Sequence, residues 1–259
     1  MVKVGKKSNI IEGHTHQVFE DVIELIGAFA KPNLMLVGPT GTGKSTLAEQ
    51  LGEALGLPWG FVSCSGGLSE TRVLGYNNIK GEYISTQFVR VYENGGVCLI
   101  DEIDAADENV LITINAALAN GHLAIEARKN NPIAKRHKDC VIICAANTFG
   151  RVSYEYSARN NLDRSTLDRF TLSTLYMDYD QTLEKLILKD EDLCKVLWKV
   201  RETIQEYTMS KPLTTRAFSD IRQLLDAEIP YQKIVDKFLL PMNEEERIRL
   251  QPIFEQYKA

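Results

Sequence analysis

Apolar positions along the chain follow one period through the first two thirds and another through the last third. Short apolar or β-branched runs recur at residues 33–37 (NLMLV), 60–63 (GFVS), 97–100 (VCLI), 141–145 (VIICA) and 172–177 (LSTLYM). The runs at 33–37, 97–100 and 141–145 are apolar at successive positions, so both faces of each strand are covered, as in a parallel sheet held between helical layers. Between the runs, residues 44–55 and 107–119 carry helical spacing, the latter with Val110, Leu111, Ile114 and Leu118 on one side. This alternation predicts a doubly wound α/β domain. Past about residue 180, Leu183, Leu186, Ile187, Leu193, Val196 and Leu197 form a stripe that predicts one long amphipathic helix over 182–207. Shorter helices are predicted over 215–227, 231–239 and 244–257, punctuated by Pro212, Pro230 and Pro241. The expected division is an α/β domain over 1–179 and a small all-helical domain over 180–259.

At 259 residues, with 44% hydrophobic and 25% charged residues, the chain can bury a substantial core. A net charge of -5 argues against a surface that attracts nucleic acid or anionic lipid as a whole, and leaves room for local basic patches. The opening stretch MVKVGKKSNIIEGHTH has lysines without an apolar run behind them, unlike a secretory signal. No apolar run approaches the ~20 residues that cross a bilayer. A cytoplasmic protein without membrane contact is expected. The five cysteines include no CxxC pair, and Cys98, Cys140 and Cys144 lie inside apolar runs, which points to buried free thiols.

The most specific chemical signal is Gly38-Pro39-Thr40-Gly41-Thr42-Gly43-Lys44-Ser45-Thr46. It satisfies GxxxxGK[ST] and lies between a buried strand and a helix. Glycines let backbone N–H groups curl around phosphate oxygens, and the helix N-terminus adds its dipole. Lys44 reaches the β- and γ-phosphates, and Ser45 supplies an oxygen to Mg²⁺. The run at 97–100 then delivers Asp101 and Glu102 at the carboxyl end of a strand, where ligands bind in open α/β sheets. Asp101 is expected to hold Mg²⁺, and Glu102 to polarise the attacking water. For Asp104, an N-cap of the following helix is favoured over a supporting role to these acids. Asn147, closing VIICAAN, is a third strand-end polar group, suited to orienting the lytic water or touching the γ-phosphate.

Together these residues resemble the AAA+ superfamily of P-loop ATPases: Walker A at 38–46, Walker B at VCLIDE, and Asn147 as the sensor-one residue. The stretch DEIDAA, then AANT, then Leu167-Asp168-Arg169-Phe170 is similar to the MoxR/CbbQ/GvpN/CobS-type group. It is most similar to the CobS-like ATPase subunit of aerobic cobaltochelatase, including a Gly- and Tyr-containing stretch from Phe149 to Leu162. This chain is shorter than those subunits, and it is also similar to stand-alone CobS-like ATPases of phages. The resemblance implies a P-loop NTPase α/β sandwich with a helical lid, ATP and Mg²⁺ as cofactors, and assembly into a homo-oligomeric, hexameric ring. It also implies a sensor-two arginine, matched by Arg216 in Thr214-Thr215-Arg216, and an arginine finger acting in trans, matched by Arg169 with Arg164 in reserve. Residues 74–91 and 122–138 resemble two hairpin insertions that face the ring's pore. The second carries Arg128, Lys129, Lys135, Arg136, His137 and Lys138. The adenine base is expected near residues 10–16.

The expected function is a ring ATPase that hydrolyses ATP and remodels a protein partner. A nucleic-acid motor using the basic segment 128–138 is the alternative, and an assembly switch with incidental hydrolysis is a third reading.

Overall fold

A computed structural model describes residues 14–64, 67–149 and 160–257. The backbone divides into two compact units, the first comprising residues up to Pro39 with Lys44–Asp178, the second comprising Thr40–Gly43 with the chain from Tyr179 onward.

The first unit runs α1 (Phe19–Ala28), β1 (Asn33–Val37), α2 (Lys44–Leu55), β2 (Trp59–Ser63), α3 (Glu70–Leu74), β3 (Tyr76–Asn77), β4 (Tyr83–Ile84) and α4 (Gln87–Asn94). It continues with β5 (Gly96–Asp101), a 3-10 turn at Ile103–Ala105, α5 (Glu108–Asn120), β6 (His122–Ala124), β7 (Ile133–Lys135), β8 (Cys140–Ala146), α6 (Arg164–Asp168) and β9 (Thr174–Tyr176). A 5-stranded sheet in the order β2-β5-β8-β1-β9 is parallel at every pairing. Strand periodicity divides its side chains cleanly. Leu34, Leu36, Leu99, Ile143 and Ala145 join Val22, Leu47 and Leu51 in one core. Met35, Val37, Ile100, Ile142 and Cys144 join Phe88, Tyr92, Val110 and Ile114 in the other. This is the doubly covered sheet that apolar residues at successive positions predict.

Two small antiparallel hairpins, β3 with β4 and β6 with β7, lie where insertions are expected at 74–91 and 122–138. The last strand is shorter than the predicted 172–177. Residues 170–173 turn instead, with Ser173 N donating to Phe170 O at 2.9 Å, and Leu172 is left 81% exposed.

Beyond the turn 40–43, the second unit contains α7 (Gln181–Leu188), α8 (Glu191–Glu206), α9 (Thr215–Asp226), α10 (Tyr231–Leu239) and α11 (Glu244–Phe254). Leu188, Leu193, Leu197, Phe218, Leu250 and Phe254 belong to its own apolar core. The single helix predicted over 182–207 is in fact two. Lys189 takes a left-handed conformation at φ 57°, and Asp190 caps α8 by accepting from Leu193 N at 2.9 Å. Ile187 and Leu188 on α7 and Leu193, Val196 and Leu197 on α8 pack into the same core, so apolar spacing runs past the break, whereas Leu186 of the predicted stripe is 43% exposed. No helix among the described residues is long and apolar enough to cross a membrane.

Candidate functional site

Neighbouring strands β5, β8 and β1 bring three polar endings side by side. From β1 the chain enters the glycine-rich turn, where Gly38 N donates to Ala146 O at 3.2 Å. A Cβ on Gly38 would stand 2.0 Å from Met177 O, so no side chain fits there. Gly41 and Gly43 take φ +71° and +99°, a curl that other residues resist. Thr40 and Thr42 lie within this turn, and Thr42 is buried. Lys44 opens α2 and is buried at 7% exposure; its Nζ donates to Gly38 O and Pro39 O, both at 2.8 Å, and to Asn147 Oδ1 at 3.2 Å. The buried cation thus joins the loop of β1 to the end of β8.

Next on α2, Ser45 and Thr46 are exposed. Ser45 Oγ donates to Asp101 Oδ2 at 3.0 Å. A hydroxyl and a carboxylate at this spacing form a hard-oxygen pair of the kind Mg²⁺ takes beside substrate phosphates. Asp101 Oδ1 accepts from Glu102 N at 2.9 Å. Glu102 itself sits at φ 55°, ψ 41°, a left-handed conformation costing a non-glycine residue about 1–3 kcal/mol. Such strain recurs where a side chain must be aimed.

Asp104 does not cap the following helix; Asp107 occupies that position. Asp104 is fully buried in the 3-10 turn, and its Oδ2 accepts from Asn147 N at 3.0 Å and from Thr148 N and Oγ1, both at 3.2 Å. It therefore binds the end of β8 to the end of β5 and fixes the backbone that presents Asn147. The sequence hints at this only through an acid closely following Asp101 and Glu102, since its partners are forty-odd residues away.

The outlying arginines fall in different places. Arg164 is exposed at the start of α6. Arg169, half-exposed at its end, donates through Nε to Asn115 Oδ1 at 3.2 Å, while Asn115 Nδ2 donates to Thr166 Oγ1 at 2.7 Å. Asn115 of α5, which no motif marks, thus orients the arginine. Hydrogen bonds from Thr166 hold the Asp163 carboxyl below its ordinary range, with Arg169 contributing less. Arg216 is exposed in the first turn of α9, within the second unit.

In the β6–β7 segment two of the basic residues serve the fold. Arg128 grips Glu93 with two bonds of 2.7 Å and lies 4.7 Å over the Tyr83 ring. Arg136 donates to Asn33 Oδ1 at 2.7 Å and to Pro32 O and Cys140 O at 2.9 Å. Lys129, Lys135 and Lys138 remain exposed.

Of the base-pocket candidates, residues 10–13 lie outside the described residues, as does most of the stretch from Phe149 to Leu162. His16 is buried and bonds through Nε2 to Asp178 O at 2.8 Å, with Nδ1 accepting from Val18 N at 3.3 Å. All five cysteines are free and buried. Burial, helped by the charges of Asp101, Glu102 and Asp104, pushes the Cys64 thiol up to about 12, so it stays protonated beside the acids.

A model of the AAA domain family, dynein-related subfamily, matches residues 33–170. An uncharacterised protein of Staphylococcus epidermidis is 28% identical over 251 residues, covering 89% of this chain and 90% of the relative. One from Staphylococcus haemolyticus is 26% identical over 252 residues with the same coverage. Among solved structures, the chain is similar to NtrX from Brucella abortus in complex with ADP, at a TM-score of 0.47 and 14% identity. That likeness covers 78% of this chain and 44% of the NtrX chain.

Proposed function

Because this chain belongs to the dynein-related subfamily of AAA domains, we propose that it binds ATP with Mg²⁺ and hydrolyses it as a ring-forming homo-oligomer that remodels a protein partner. The observation that carries this reading is the junction of Lys44 with Asn147 and of Ser45 with Asp101 at the ends of adjacent parallel strands.

Each residue then has a task. The turn 38–43 offers backbone N–H groups to the phosphates, and Lys44 supplies the cation inside the loop. Ser45 and Asp101 would hold Mg²⁺, and the chemistry it would supply is neutralisation of phosphate charge. Glu102 orients and deprotonates the attacking water, Asn147 aligns it, and Arg216 reads the γ-phosphate. Arg169, with Arg164 beside it, serves a neighbouring protomer's site. In its finer relationships the chain fits the MoxR-type group, and within it the CobS-like proteins, on the strength of DEIDAA, AANT and LDRF. A protein partner is favoured over nucleic acid, because Arg128 and Arg136 of the basic segment are engaged within the fold.

Phosphate release tests the reading. The parent should turn over ATP at a steady rate, and Glu102→Gln should bind ATP yet turn it over at least about a hundredfold more slowly, since an amide cannot take the water's proton. Near-parent turnover by Glu102→Gln would remove Glu102 from catalysis. Stimulation of the parent tenfold or more by single-stranded DNA would favour the nucleic-acid motor.

A further inference from the structure

A second set of residues, built around Glu184, Arg201 and Tyr179, which belong to no recognisable motif, meets the turn 40–43. The Glu184 carboxylate on α7 is fully buried, and both oxygens are doubly engaged. Oε2 accepts from Trp198 Nε1 at 2.8 Å and Arg201 Nη1 at 2.9 Å; Oε1 accepts from Arg201 Nη2 at 2.5 Å and Thr215 Oγ1 at 2.7 Å. Arg201, 6% exposed, also donates through Nε to Leu213 O at 2.7 Å. Its guanidinium lies 4.0 Å from the Tyr179 ring centre and 5.0 Å from that of Phe218.

Two arms leave this buried pair, and both end on the glycine-rich turn. Tyr179, stacked on Arg201, donates its hydroxyl to Thr40 O at 3.2 Å. On the other arm, Glu184 and Arg201 pin Thr215 and Leu213, which bracket Thr214. Thr214 stands at the N-cap of α9 without making a side-chain capping bond. Its side chain lies against Gly41 instead: a Cβ added there would be 2.6 Å from Thr214 Cβ and 2.8 Å from its Oγ1. Arg216 follows directly in the same helical turn.

A buried ion pair is a weak device for stability alone, because desolvation offsets much of its attraction, and it is strongest as a means of fixing geometry. We propose that the Glu184–Arg201 pair is a positioning device for nucleotide binding. Through Tyr179 and Thr214 it sets the shape of the phosphate-binding turn, and through Thr215 it sets the aim of Arg216. The proposal rests on the ATP-binding reading above and adds to it residues that act through others. Tyr179 and Thr215 are its positioning residues, and the two arms carry different consequences. The turn serves any nucleotide with a β-phosphate. Arg216 discriminates ATP from ADP.

Equilibrium titration of fluorescent ATP and ADP analogues in Mg²⁺ tests this, with the thermal midpoint of each nucleotide-free variant measured alongside. Tyr179→Phe keeps the ring on Arg201 and removes only the hydroxyl. It should weaken both nucleotides about three- to tenfold, the worth of one neutral hydrogen bond. Thr215→Val keeps the shape and removes the donor; it should weaken ATP by a similar factor and ADP less than twofold, and Thr215→Ser should restore ATP to within twofold. Binding of both nucleotides within twofold of the parent by Tyr179→Phe and Thr215→Val would overturn the proposal. So would losses in Thr215→Val that merely track a lowered thermal midpoint, with no difference between ATP and ADP. A parent that binds neither nucleotide contradicts instead the reading of the site itself.

Discussion

Lys44 makes three hydrogen bonds to oxygens of residues 38, 39 and 147 while nearly buried, and a group so placed is worth more as a charge than as packing. Lys44→Ala should weaken ATP by about tenfold to a hundredfold or more, from loss of charge-assisted bonds; unchanged affinity in equilibrium titration would contradict the role proposed for it at the phosphates. Asp104 makes a sharper test, because its Oδ2 accepts from the backbone N–H of Asn147 and from its neighbour Thr148. Asp104→Asn should lower kcat about tenfold through misplacement of Asn147 and leave ATP affinity within about twofold. A matched loss in affinity would mean that Asp104 shapes the nucleotide pocket itself. The glycine-rich turn and the two acids were legible in the sequence because their chemistry is contiguous. Asp104 with Asn147, Asn115 with Arg169, and Glu184 with Thr215 were not. Each pair is separated by tens of residues and meets only after the chain has folded.

Among elements, the central strands β1, β5 and β8 were readable because burial on both faces demands apolar residues at successive positions. The break between α7 and α8 was not, since Lys189 and Asp190 interrupt the helix without interrupting its apolar stripe. Each segment that the family resemblance marked does contain a hairpin, but the sequence does not reveal that Arg128 of one segment stacks on Tyr83 of the other while gripping Glu93 of α4. A double-mutant cycle of Arg128→Ala and Glu93→Ala should give a stability coupling of about 1–2 kcal/mol, as a two-pronged, partly buried pair does. A coupling near zero would make it an ordinary surface pair. In α11, Asn243 and Glu246 form a reciprocal capping box. Backbone N–H groups of Ser210 and Asn243 hold the Glu246 carboxyl below its ordinary 4.5. A depressed folded-state value means that this stabilisation is present above about pH 4.5 and is lost as pH falls through the lower folded value. The thermal midpoint of Glu246→Gln should therefore lie below the parent's at pH 7 and converge with it in strong acid; a gap that persists there would assign the effect to packing.

At the scale of the whole molecule, phosphoryl transfer needs positive charge on the γ-phosphate, and an arginine supplied from a neighbour can contribute ~10³–10⁵ in rate. Arg169 fits that task in being half-exposed and held by Asn115 at Nε, which fixes its direction. If the working unit is a ring, a defective acid in one protomer and a defective arginine in the next are complementary. The most direct measurement is phosphate release from mixed rings. Arg169→Ala protomers and Glu102→Gln protomers should each be inactive alone. Co-assembled, they should recover a fraction of parent activity, because some interfaces pair an intact Glu102 with an intact Arg169. Full activity of the Arg169→Ala protein alone, or no recovery in mixtures whose co-assembly is demonstrated, would contradict a site completed between protomers.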